Sequence, residues 1–133
     1  MASSALRDRR ILIVEDEYLV AMSLAEALRD AGSIVLGPVA SVDKAIKTIE
    51  AEPHIDGAVL DVNLGGMLAF PVADLLVARK IPFVFTSGYE DNLLRDRYSQ
   101  VKNCAKPYLF AAMEEALLEA MSPRDDSGAR KLV

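Results

Sequence analysis

Five short apolar runs, separated by stretches with helical periodicity, restrict what this chain can fold into more than any other feature. The runs are Ile11-Leu12-Ile13-Val14, Ile34-Val35-Leu36, residues 55–60, residues 82–86 and residues 101–105. Continuous runs rich in β-branched residues suit strands buried on both faces. Residues 17–31 follow the first run with Val20, Leu24, Leu28 and Ala31 at intervals of three and four, and Gly32 stands where a helix would stop. Ser41 is placed as an N-cap ahead of Ala45, Ile46 and Ile49, with Pro53 as terminator. A third helix is expected over residues 70–79, where Pro71 is tolerated only in the first turn, and Gly65-Gly66 reads as a flexible loop before it. Residues 90–99 are charged and hold mainly Leu93, Leu94 and Tyr98, which predicts a short or mobile helix; residues 108–121 align Phe110, Met113, Leu117 and Met121. Strands alternating with helices require right-handed crossovers over both faces of a parallel sheet. The expected fold is a doubly wound α/β domain with five strands and five helices.

In such a sheet the carboxyl ends of the strands gather at one edge, where ligands bind. Four apolar runs here end in chemistry: Glu15 and Asp16 after the first, Asp61 after the third, Ser87 after the fourth and Lys106 after the fifth. A carboxylate is a competent nucleophile toward phosphorus. Attack by Asp61 on an anionic phosphoryl group beside two more acids calls for a cation, and Mg2+ suits a site of oxygen ligands. No His and Cys cluster supports a zinc-like site. Lys106 then supplies a point charge to a phosphoryl oxygen and Ser87 a hydrogen bond to another. Taken singly, each residue has a plainer role: acids favour helix N-termini, and Ser-Gly and Lys-Pro pairs are common in turns. Their joint position at four strand ends is the specific signal.

The 133 residues fit one domain, 52% hydrophobic and 26% charged, with residues 1–9 expected as a polar leader, 10–121 as the folded domain and 122–133 as a flexible tail. No separate output domain is expected within this length. Between Ile11 and Met121 acids outnumber bases 17 to 9, and no basic run is interleaved with aromatics, so direct nucleic-acid binding is not expected. Cys104 is the one cysteine and sits in an apolar segment, which points to a reducing compartment. With no signal-peptide core and no apolar stretch near the roughly 20 residues that span a bilayer, a cytoplasmic protein without membrane contact is expected.

The motifs Ile-Val-Glu15-Asp16, Leu-Asp61-Val-Asn63, Ser87-Gly88-Tyr89 and Ala-Lys106-Pro107-Tyr108 together resemble the receiver domains of two-component response regulators, over roughly residues 10–121. The resemblance implies a flavodoxin-like receiver fold and a stand-alone signalling protein. It further implies that Asp61 accepts a phosphoryl group from a phosphohistidine of a sensor histidine kinase or phosphotransfer protein. Asp16 and Asp61 would bind Mg2+ directly, Glu15 through water and Asn63 through its backbone carbonyl, with Ser87 and Lys106 on the phosphoryl group. Such a protein is no enzyme in the ordinary sense, since it catalyses only its own phosphorylation and dephosphorylation, as signalling switch, relay intermediate or phosphate sink toward a downstream protein target. The Lys106-Pro107 bond is expected to be cis. Ser87, five positions after Pro82, takes the hydroxyl role in preference to Thr86. Residues 82–89 are similar to a mostly alphaproteobacterial subgroup with a Phe-Ala-Thr-Gly-Tyr-like fourth strand, from which Thr86 and Ser87 depart.

Other departures bear on signalling. Receivers carry an aromatic residue three positions before the lysine, and here that position is Asn103. Activation is therefore expected to order residues 90–99 instead of turning an aromatic ring inward. On the first helix, Tyr18, Met22 and Ala25 form a second apolar flank for docking to a kinase, with Leu64 and Met67 nearby. His54, the one histidine, is read as a surface loop residue. A haloacid-dehalogenase-type phosphatase shares the Asp61-Val62-Asn63 spacing, but its nucleophile lies on the first strand and its acid pair comes late, the reverse of the order here. The remaining alternative is an interaction module with a receiver fold that binds partners without phosphorylation.

Overall fold

Alternating strands and helices carry through to the architecture. A computed structural model describes residues 5–88 and 98–122. In chain order the elements are β1 (Arg10–Val14), α1 (Tyr18–Asp30), β2 (Ile34–Val39), α2 (Val42–Ala51), β3 (Gly57–Asp61), β4 (Asn63–Leu64), β5 (Met67–Leu68), α3 (Phe70–Ala78), β6 (Phe83–Ser87), β7 (Asn103–Ala105) and α4 (Phe110–Met121). Five strands pair in parallel in the order β2-β1-β3-β6-β7. The described residues hold four helices; the helix expected over residues 90–99 lies, through residue 97, outside them. No helix among the described residues is long and apolar enough to cross a membrane.

Strand alternation divides the core in two. Leu12, Val14, Ala58, Leu60, Phe83 and Phe85 face α2 and α3, where Ala45, Ile49, Val72 and Leu76 are fully buried. Ile11, Ile13, Val59 and Val84 face α1 and α4, against Leu24, Leu28, Met113 and Leu117. All four residues of each run Ile11 to Val14 and Phe83 to Thr86 are buried, as a sheet covered on both faces demands. Leu6, ahead of β1, is also fully buried in the second cluster, and Ser33 Oγ and Asp8 N–H tie this segment to the end of α1.

Local chemistry sets the helix ends. Gly32, at φ +91°, closes α1 with Ser33 N–H donating to the Leu28 carbonyl and Gly32 N–H to that of Arg29, the paired bonds of a Schellman cap. Ser41 Oγ accepts from Lys44 N–H at 3.2 Å to start α2, and Pro71 sits in the first turn of α3.

Two expectations change. Gly65 and Gly66 are not a loose loop but the two-residue turn of a small hairpin, β4-β5, with both φ values positive as a tight turn of that kind requires. The last strand begins at Asn103 and not at Val101, because Val101 N–H is taken by the Tyr98 carbonyl in a turn.

Candidate functional site

Strand order reverses about β1, which has β2 on one side and β3 on the other, so a crevice opens at their carboxyl ends. Asp61 is the last residue of β3, Glu15 and Asp16 leave β1, Ser87 ends β6 and Lys106 follows β7. The expected residues therefore assemble at one edge. Carboxylate oxygens of Glu15, Asp16 and Asp61 all lie within 4.8 Å of one another. Lys106 Nζ enters this group, 3.1 Å from Asp61 Oδ2 and 2.8 Å from Glu15 Oε1. The Lys106-Pro107 bond is cis, and so is Gly37-Pro38, which the sequence did not suggest.

Burial and crowding decide the electrostatics. Glu15 and Asp61 are each 4% exposed, so charge placed there loses most of its hydration. Burial raises the Asp61 carboxyl from 3.8 to about 7, Glu15 adding to the rise through a shared hydrogen bond and its charge, while Lys106 and the Asn63 N–H oppose it. Burial alone would lower the Lys106 ammonium. Hydrogen bonds that the ammonium donates to Glu15, Glu17 and Asp61 outweigh it, and the lysine stays charged above its ordinary range. Tyr108, beside the cluster, is raised to about 12 by burial and then by the Glu15 charge, which keeps its phenol protonated.

An all-oxygen set of three acids that draws in the nearest ammonium is one a hard divalent cation fits. The β4-β5 turn closes over one of these acids: Gly65 N–H donates to Asp16 Oδ2 at 2.8 Å, and Gly66 N–H donates to Asn63 Oδ1 at 2.7 Å. Asn63 N–H in turn donates to Asp61 Oδ1 at 3.2 Å, fixing the far carboxylate oxygen.

Three neighbours make contacts that their places in the sequence do not announce. Glu17 Oε1 lies 2.7 Å from Lys106 Nζ, a third acid on the same ammonium; the run Glu15-Asp16-Glu17 was its available signal. Asn103 bonds Ser87 by both ends of its carboxamide. Thr86 stands directly opposite Asp61 in register, 1% exposed, and its hydroxyl has no partner among the described residues. The flank expected on α1 is also corrected. Tyr18 and Met22 are exposed, but Ala25 is fully buried, because it falls on the stripe with Leu24 and Leu28; Leu19 replaces it at the surface, 81% exposed. Met67 is exposed while Leu64 is buried. His54 is exposed at the opposite end of β3, its Nε2 2.7 Å from Asp56 Oδ1. Tyr89 lies outside the described residues.

No protein-family profile matches the chain. It is 31% identical over 115 residues to the phyllosphere-induced regulator PhyR of Methylorubrum extorquens, a match covering 84% of this chain and 43% of PhyR. The chain spans about half the length of the curated relatives it matches. Among solved structures, a response regulator receiver protein from Sinorhizobium medicae superimposes with a TM-score of 0.77 at 25% identity, over 87% of this chain and 96% of that one. SdrG from Sphingomonas melonis gives 0.72 at 41% identity, over 86% of this chain and 95% of SdrG. Identity at that level across nearly all of SdrG, joined to an acid cluster and lysine at the strand ends, means that the chain belongs to the receiver domains of two-component response regulators, in the alphaproteobacterial subgroup of SdrG and PhyR.

Proposed function

We propose that Asp61 accepts a phosphoryl group from a phosphohistidine in a Mg2+-dependent reaction, and that the modified domain changes its affinity for a downstream protein. The observation that carries this reading is Lys106 Nζ lying 3.1 Å from Asp61 Oδ2 inside a cluster of acids. One Asp61 carboxylate oxygen forms the new bond to phosphorus as the phosphorus–nitrogen bond breaks and the imidazole leaves. Asn63 N–H holds the other oxygen, so one face of the carboxylate is presented. Lys106 neutralises charge on a phosphoryl oxygen, and Ser87 donates a hydrogen bond to another. Gly88, where an added Cβ would meet nothing within 4 Å among the described residues, leaves the donor room to approach.

Glu15, Asp16 and Asp61, with the Asn63 backbone carbonyl, are the residues we assign to the metal. A magnesium ion is coordinated in the active-site cleft of the receiver domain of the Pseudomonas aeruginosa kinase PA1611. Bound here, Mg2+ would offset the charge that phosphoryl oxygens bring to the carboxylates.

The partner is a histidine-bearing helix of a sensor kinase or phosphotransfer protein. A groove of about 540 Å3 runs from the exposed Leu19 and from Val20 of α1 to Gly88, Phe110 and Lys106, the residue paired with Asp61. The chemistry is confined to the protein's own side chain, gained from a donor and lost to water.

Intact-mass measurement with acetyl phosphate and Mg2+ tests the reading. One phosphoryl adduct is expected, absent in Asp61→Ala and absent with chelator; no adduct, or one that survives Asp61→Ala, rejects it.

A further inference from the structure

Ser87 is 4% exposed, and a hydroxyl buried so deeply needs a partner. Its partner is Asn103. Ser87 Oγ donates to Asn103 Oδ1 at 3.2 Å and accepts from Asn103 Nδ2 at 2.9 Å, so one carboxamide takes both of its roles. A serine hydroxyl has a single hydrogen to donate. Donation to Asn103 Oδ1 and donation to a phosphoryl oxygen on Asp61 are therefore mutually exclusive. Asn103 itself opens β7, the edge strand of the sheet, and is exposed, so water can take over its oxygen once the serine leaves.

We propose that Asn103 is a positioning residue, whose carboxamide holds the Ser87 hydroxyl away from Asp61 until a phosphoryl group competes for its hydrogen. The competition links the two ends of the pair. Phosphorylation turns Ser87 toward the crevice and releases Asn103 Oδ1 at the sheet edge, so a polar contact reports the state of Asp61 at the surface of β7. The inference rests on the phosphoacceptor reading above and assigns one residue that this reading leaves without a role.

The test is the rate of phosphoryl uptake from acetyl phosphate with Mg2+, followed by intact mass, in wild type, Asn103→Ala, Ser87→Ala and the double variant. Asn103→Ala is expected to accelerate uptake by up to about fivefold, the worth of one neutral hydrogen bond. Ser87→Ala should slow uptake, and adding Asn103→Ala to it should change nothing further. An unchanged or slower rate in Asn103→Ala, or the same acceleration without the Ser87 hydroxyl, overturns the role of Asn103. A second readout needs no change at Asn103: its side-chain NH2 resonances should move when beryllium fluoride and Mg2+ are added to wild type, and not to Ser87→Ala. Equal movement in both, or none, also overturns it. Failure of wild type to form an adduct at all rejects the phosphoacceptor reading instead, so the two failures are told apart by the first mass spectrum.

Discussion

Replacing Thr86 by Val is expected to stabilise the protein by about 1 to 2 kcal/mol. Thr86 is 1% exposed, lies between Asp61 and Cys104 across the sheet, and its Oγ1 has no hydrogen-bond partner among the described residues. Burying a hydroxyl without a partner costs roughly 1 to 3 kcal/mol, and a buried methyl in its place gains about 0.8 kcal/mol. Val keeps the β-branch, so strand preference and χ1 restriction are unchanged. The full sum is not expected, because a methyl is bulkier than a hydroxyl in a packed sheet and some fit is lost. Urea unfolding at pH 7 with chelator should show a higher midpoint at constant slope, and the thermal midpoint should rise by about 3 to 8 °C. Thr86→Ser, which keeps the hydroxyl and loses the methyl, should be less stable than wild type by about 1 kcal/mol. A Val variant less stable than wild type would refute the reasoning, since the hydroxyl would then have to be satisfied.

Asp61 gives a pH signature in the absence of metal. Its pKa is raised in the folded state to about 7 from 3.8, so the folded protein holds a proton that the unfolded chain has lost; the resulting stability is full below about pH 4 and disappears as pH rises through 7. Wild type should thus lose more stability than Asp61→Asn between pH 5 and 8 in urea titrations with chelator, and parallel curves would contradict this. Glu17→Gln removes a carboxylate 2.7 Å from Lys106 Nζ and leaves that lysine more firmly on Glu15 and Asp61, so Mg2+ affinity by calorimetry should fall by about two- to fivefold at low salt and by less at high salt. Leu6→Ala should cost about 2 to 4 kcal/mol by urea unfolding, because the side chain is fully buried among Ile11, Leu28 and Met113 although it precedes the first strand.

Much of the fold was legible because apolar runs and strand burial are the same fact seen twice. Ile11 to Val14 needed no alternation to be read as a strand, since both faces of it are covered. Gly32, Ser41 and Pro71 marked helix ends through backbone chemistry that depends only on near neighbours. What escaped depended on distant partners. Gly65-Gly66 is a turn and not a loop only because β4 and β5 pair, and one of its N–H groups is committed to Asp16, 49 positions away. Ala25 was misplaced by a single helical step: both sides of the α1 stripe look apolar in sequence, and packing decides which is covered. Glu15, Asp16, Asp61, Ser87 and Lys106 were readable from their places at strand ends. The bonds of Asn103 to Ser87 and of Glu17 to Lys106 were not, because side-chain pairing across strands leaves no spacing rule in the chain.

The ammonium of Lys106 is paired with three carboxylates, those of Glu15, Glu17 and Asp61, and Asp16 adjoins Glu15 and Asp61 in the same pocket. Converting Asp61 to an acyl phosphate adds about one negative charge, and a divalent cation brings two positive ones, so the formal charge of the pocket changes by only about one unit. A change that small, inside a pocket already crowded with acids, alters the potential at a surface a Debye length away very little. A distant partner therefore has little field to sense. Discrimination between the two states has to be made by contact, through the shape and the hydrogen-bonding groups presented at the sheet edge, and it should persist at salt concentrations that abolish long-range attraction.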